Sequence, residues 1–221
     1  MTATHASGEL LAEQKRYYAA RAPEYDDWWF RRGRYVDEPE QARGWLADVA
    51  ELEEALRRFA PRGAVLELAA GTGIWTRRLV PLAERVVAVD ASSETLALNT
   101  PAAELVQADL FEWRPEEQFD VVFFAFWLSH VPESHFERFW RLVLEALAPR
   151  GRVFLIDSGP VEREPGDERQ VRRLADGREF RIVKRFWRPG ELAARVRPLG
   201  VEFELGVSRN GCFLYGAGAA R

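Results

Sequence analysis

Five residues, in a fixed order along the chain, could together hold a nucleotide-like ligand: Glu67, Gly71, Gly73, Asp90 and Asp109. Gly71 and Gly73 follow a short apolar run at 64–68, and two glycines let a backbone turn sharply and approach a ligand with no Cβ in the way. A helix starting there would offer unpaired N–H groups. Asp90 ends the next apolar run, where a ribose-binding carboxylate belongs in a doubly wound sheet, and Asp109 ends the one after it. Each feature alone also fits a structural turn or a helix cap; their order makes a site. A second kind of chemistry is offered by the segment 126–132, which contains His130. A histidine there could take a proton near neutral pH, or it could hydrogen-bond backbone at a loop bend. His135 is expected to be exposed on the following helix, and His5 lies in a tail.

These residues need elements to position them. Residues 9–21 read as a helix stopped by Pro23, and Pro39 opens a second one with apolar residues at helical spacing to Phe59. From 64 the pattern changes to short apolar strands at 64–68, 85–90, 104–107, 119–126 and 152–156. Helical stretches alternate with them, around 74–82, after a capping Ser92 or Ser93, and at 134–147. Apolar strands alternating with amphipathic helices indicate a mostly parallel sheet covered on both faces. Asp176-Gly177 between 171–174 and 180–183 reads as a tight hairpin turn, and a short helix begins at Pro189. Residues 201–207 and 212–216 read as a closing hairpin. Asp120 starts its strand, far from the carboxyl ends, and is expected to be structural.

Composition narrows the class. The chain has 221 residues, 47% hydrophobic and 30% charged, which suits one globular domain. A net charge of −4 argues against nucleic acid or an anionic membrane as the main partner. The single cysteine, Cys212, allows neither an internal disulfide nor a Cys-rich metal site. No signal pattern and no uncharged apolar run of spanning length is present, so a cytoplasmic address is expected. Positive charge is almost all Arg, with Lys only at Lys15 and Lys184; with abundant Ala, that bias suggests a bacterial source.

The run Glu67-Leu68-Ala69-Ala70-Gly71-Thr72-Gly73 resembles the first motif of class I S-adenosylmethionine-dependent methyltransferases, with Ala69 at the first glycine. Asp90-Ala91-Ser92, Ala108-Asp109-Leu110 and Phe119-Asp120-Val121-Val122 resemble the second, third and fourth motifs. Leu147-Ala148-Pro149-Arg150-Gly151 is similar to the stretch before the fifth strand, with Arg150 replacing a glycine. The likeness runs from about 60 to 157, and the closing hairpin fits the family's reversed seventh strand. It implies an α/β, Rossmann-like fold: a seven-stranded, mostly parallel sheet with helices on both faces. A helical N-terminal cap or lid at 1–60 and an inserted β-hairpin at about 160–188 would complete one domain, with the core at 61–221.

The resemblance implies S-adenosylmethionine as cofactor, with no metal. Glu67 and the Gly71 backbone would hold the methionine end, within a turn that includes Ala69 and Gly73. Asp90 would accept from the ribose hydroxyls. Ala91, Ser92 and Leu110 would flank the adenine, with Asp109 accepting from its amino group. The run 17–30 resembles the cap segment of many small-molecule methyltransferases. By that analogy Tyr18, Arg21 and Tyr25 contact the methionine carboxylate or wall the acceptor pocket, and Phe126 completes the cofactor set. His130 is the candidate general base for methyl transfer to oxygen or nitrogen of a small molecule. A base is needed only if the acceptor must lose a proton. The cations of the inserted region, among them Arg172, Arg173, Arg181 and Lys184, would either bind an anionic acceptor or form a solvated face. No nucleic-acid or membrane partner is expected, and the chain would be a monomer or homodimer. The alternatives are an NAD-dependent oxidoreductase, which would want a glycine where Thr76 stands, and a methyltransferase-like binding protein without turnover.

Overall fold

The computed structural model describes residues 3–160 and 168–221. Its main sheet has seven strands: β1 (Ala64–Leu68), β2 (Arg85–Asp90), β3 (Glu104–Gln107), β4 (Phe119–Ala125), β5 (Leu147–Ser158), β8 (Val201–Val207) and β9 (Phe213–Ala220). Their order is β3-β2-β1-β4-β5-β9-β8. The first five run parallel, and β9 is antiparallel to both β5 and β8. The strand order reverses between β1 and β4, which opens a crevice at their carboxyl ends. A separate two-stranded sheet, β6 (Arg169–Arg173) with β7 (Glu179–Val183), is the inserted hairpin. Residues 161–167, which belong to the expected insertion, and the His5 side chain lie outside the described part.

Successive side chains of a strand alternate between faces, and here both faces are covered. Leu66, Leu68, Val122 and Phe124 pack on one side with Phe139, Trp140 and Val143 of α5 (Phe136–Ala146). Val65, Val121 and Phe123 pack on the other with Leu52, Leu56 and Phe59 of α2 (Pro39–Phe59). That double burial is why β1 and β4 read as unbroken apolar runs. β3 departs from the pattern: it is an edge strand, and Glu104, Leu105 and Gln107 are exposed. Asp120 holds the start of β1, accepting from the Ala64 N–H at 2.8 Å, as expected of a structural residue.

The N-terminal helix corrects the sequence reading. α1 runs Ala3–Trp29 straight through Pro23. A proline inside a helix removes one backbone hydrogen bond, but tertiary packing supplies most helix stability in a folded protein. Trp29, 2% exposed, packs its ring against Trp45, Trp75, Phe126 and Phe213, which anchors the helix beyond the proline. α3 (Thr76–Leu79) is shorter than the span at 74–82 suggested. α4 (Ser93–Leu96) begins at Ser92, whose hydroxyl accepts from the Thr95 N–H at 3.1 Å. α6 (Pro189–Val196) precedes β8. No described helix is long and apolar enough to cross a membrane.

Candidate active site

A cavity of about 380 Å³ lies at the carboxyl ends of β1, β2 and β4, with Gly71, Asp90, Asp109 and Leu110 in its wall. The glycine turn shapes it. Ala69 and Gly71 both adopt positive φ, +55° each, and a Cβ on Gly71 would meet nothing within 4 Å, so the backbone lies open to the cavity. Gly73 does a different job. It lines neither this cavity nor the two that adjoin it, and a Cβ there would come within 2.3 Å of the Asn99 side-chain oxygen. That glycine permits close packing rather than ligand approach.

The acids behave unequally. Asp90 accepts from the Gly71 N–H (2.9 Å), the Ser92 N–H (2.9 Å) and the Thr95 hydroxyl (3.2 Å). A carboxylate offers about four acceptor positions, so Asp90 fixes the turn and keeps capacity for a ligand hydroxyl. Burial raises its pKa, against the pull of those backbone bonds. Asp109 accepts from the Phe111 N–H at 3.0 Å and from Lys15 of α1. Glu67 is buried beneath the turn and lines a smaller adjoining cavity with Gly71, Tyr25 and Trp75. Burial pushes its carboxyl up to about 8, the Thr76 hydroxyl bond (2.5 Å) pulls it down, and Asp90's charge raises it further. Ala91 and Ser92 also lie in the wall of the main cavity.

A second cavity, about 540 Å³, opens between α1 and the hairpin. The two cavities share Tyr18, Tyr25, Phe126 and His130. Phe126 follows β4 with φ +55° and bonds back to the Ile156 carbonyl at 2.8 Å, so the chain turns across the floor where the cavities meet. His130 is buried in a single helical turn, Leu128–His130. Its Nδ1 lies 2.6 Å from the Val183 carbonyl, which can only accept, so Nδ1 carries the proton. Nε2 is therefore the free lone pair, and it accepts from the Tyr18 hydroxyl at 2.7 Å. Burial holds the His130 pKa well below the usual imidazole value, and the Lys184 charge lowers it further. The ring is neutral.

Arg21 faces the second cavity and does not line the first, so of the three cap residues only Tyr18 and Tyr25 reach both. His135 is half-buried with its ring 4.7 Å from Phe111, rather than exposed. Gln14 and Lys15 are wall residues that no sequence motif marks. Gln14 is 3% exposed; its amide donates to the His130 carbonyl (3.0 Å) and accepts from the Val183 N–H (2.9 Å), tying α1 to both loop and hairpin. Lys184 bonds the Ser129 and Ser158 hydroxyls, each at 2.8 Å, 3.6 Å from Asp157. A compositional signal marks Lys15 together with Lys184. Lys15 and Lys184 are the only lysines in an arginine-rich chain, and each stands in a cavity wall.

A family profile described as a methyltransferase domain matches residues 65–151. The structure of DhpI in a complex with SAM and HEP is 40% identical, covers 96% of this chain and 98% of its own, and superposes with a TM-score of 0.81. This chain belongs to the class I S-adenosylmethionine-dependent methyltransferases. The DhpI complex with SAH has a TM-score of 0.78 at the same identity. The 1,6-didemethyltoxoflavin-N1-methyltransferase of Burkholderia thailandensis shares the fold at 18% identity, with a TM-score of 0.67 and coverage of 100% and 91%. Comparison with curated proteins finds no match. The methyltransferase uses S-adenosylmethionine (SAM), and its residues fit that group. The first cavity offers acidic side chains to a cationic molecule with hydroxyls, and an open glycine turn to its backbone-like methionine end. The oxidoreductase reading falls with this assignment.

Proposed function

We propose that this methyltransferase moves the methyl group of SAM, held in the first cavity, to oxygen or nitrogen of a small molecule held in the second. One observation carries the reading: the two cavities meet at a single wall of four side chains, Tyr18, Tyr25, Phe126 and His130. The size of the second cavity, about 540 Å³, suits a metabolite.

When bound, SAM supplies an electrophilic methyl carbon; its bond to sulfur breaks with the electron pair going to sulfur as the bond to the acceptor forms. Alignment and exclusion of water then carry most of the work. Tyr25, Phe126 and Trp28 form a ring-lined boundary, with Trp28 and Phe126 centroids 5.4 Å apart, and aromatic faces suit a sulfonium cation. A proton leaving the acceptor would pass to the Tyr18 oxygen as the Tyr18 proton passes to His130 Nε2. The resulting imidazolium keeps its Nδ1–H on the Val183 carbonyl. Asp90 and Asp109 hold the ribose and adenine, and Glu67 supports the methionine end from below the turn. α1 lies over the first cavity through Leu11, Lys15 and Tyr18, so entry of SAM requires the cap at 1–60 to open, as a lid that gates turnover.

The test is a transfer assay with methyl-tritiated SAM and a panel of hydroxyl- and amine-bearing metabolites. Label should appear on oxygen or nitrogen of a small acceptor. Label recovered only on carbon or sulfur would overturn the assignment.

A further inference from the structure

We infer that the acceptor carries an oxyanion, of the carboxylate or phosphoryl type, held between α1 and the hairpin by Arg21, Arg34, Arg172, Arg173 and Lys184. This rests on the reading that the second cavity holds the acceptor. Those five cations line it, and among the described residues no carboxylate does, although the chain as a whole is negatively charged. The first cavity differs: Asp90, Asp109 and Glu94 stand in its wall against Lys15 and Arg16.

Two of the five cations have a carboxylate partner among the described residues and three do not. Arg34 pairs with Glu24 at 3.2 Å and Lys184 lies 3.6 Å from Asp157. Arg21, Arg172 and Arg173 form no ion pair among the described residues. Arg21 is the sharpest case. Its guanidinium sits among the rings of Tyr25 (5.0 Å), Trp28 (5.4 Å), Tyr17 (5.6 Å) and Tyr35 (5.9 Å). Ring faces attract the cation but leave its N–H donors unmet, and Arg21 Nε is buried with no hydrogen-bond partner. A buried donor without a partner is costly, and a guanidinium fork matches an oxyanion in geometry as well as charge.

Arg172 and Arg173 are exposed yet border the cavity, and cofactor binding does not account for where the five cations lie. A solvated hairpin face describes Arg178 and Arg181, which pair at the surface with Asp176 and Glu13, both at 2.8 Å; Arg172 and Arg173 line the cavity instead. The methionine carboxylate of SAM could engage one arginine, yet none of the five cations lines the first cavity. Seating an anion here also acts on His130. Burial is the main cause of its low basicity and the charges of Lys184, Arg172 and Arg21 add to it, so an anion among them offsets the part that those charges contribute.

The test uses full-length protein saturated with S-adenosylhomocysteine, titrated calorimetrically with inorganic phosphate, acetate and uncharged acetamide. One of the anions should bind while acetamide does not, and the tighter of the two names the phosphoryl or carboxylate class. Arg172→Gln, an exposed hairpin position, and Arg21→Gln should each weaken anion binding by about tenfold, the scale of one charged hydrogen-bond partner. S-adenosylhomocysteine affinity in Arg172→Gln should be unchanged, which also shows that the variant is folded. Equal binding of acetamide, absence of anion binding, or anion binding indifferent to both substitutions would overturn the inference. Loss of S-adenosylhomocysteine binding by the wild-type protein would instead sink the methyl-transfer reading on which it rests.

Discussion

The first cavity has a net acidic wall at the ends of parallel strands, whereas the second is cationic and lies between a helix and a hairpin outside the sheet. On the proposed two-cavity reading, the difference sorts the two reactants by charge. A sulfonium is drawn to the side of Asp90 and Asp109 and repelled from Arg172 and Lys184, and an anion experiences the opposite. Their shared wall, with His130 in it, is where the two fields meet. The cofactor side depends on the sheet and the acceptor side on the cap and hairpin, so substitutions on the two sides should separate cleanly.

The largest effect should fall on the shared wall. With an acceptor that must lose a proton, His130→Ala should reduce turnover about 10²–10⁴-fold, the usual contribution of a positioned base, and leave SAM affinity nearly unchanged. Steady-state kinetics beside calorimetry checks this; full turnover in the variant would leave His130 as a support for Tyr18. On the cofactor side alone, Asp90→Ala should weaken SAM binding by about ten- to a hundredfold, or ~1.5–3 kcal/mol, as expected when a charged acceptor is removed. Equal affinities would separate Asp90 from the ligand.

Smaller effects should follow pH. Glu67 has its pKa pushed up to about 8 from an ordinary 4.5, so the empty folded protein binds a proton there that the unfolded chain has released. Its contribution to stability therefore falls as pH rises from about 4.5 through 8, and Glu67→Gln should remove that slope. Thermal melts without SAM should find the variant at least as stable as wild type at pH 8, yet weaker in binding SAM. A variant less stable at pH 8 would mean that the ionised carboxylate supports the empty fold. The smallest change should come from Gln14→Ala, which cuts α1 from the His130 loop and from β7. Amide hydrogen exchange in α1 should speed up in the variant and slow again when SAM binds. Unchanged exchange would mark the cap as a static packing element.

The cofactor side was the legible one, for a physical reason. A parallel strand buried on both faces must be apolar, and its end must turn sharply, so Val65, Leu66, Gly71 and Asp90 announce strand, turn and site within one short stretch. β1, β3 and β8 appear in the structure at the residues read for them. The acceptor side had no such signature. Its wall joins residues 17–35 to Ser158 and residues 171–186, and only the packing of α1 on the hairpin brings them together. Periodicity could not say which arginines of 169–188 border the cavity, nor that buried tryptophans would carry a helix through Pro23. His130 was legible as a titratable residue just past a strand end. Its hydrogen bond to Tyr18, 112 positions away, was not.

The most direct test of the two-cavity arrangement is a crystal structure of this protein with S-adenosylhomocysteine bound. Its ribose should lie on Asp90 and its adenine beside Asp109, with sulfur facing the wall of Tyr18, Tyr25, Phe126 and His130 toward the cationic cavity. A product molecule seated among the arginines, or one whose sulfur faces away from that wall, would contradict the arrangement.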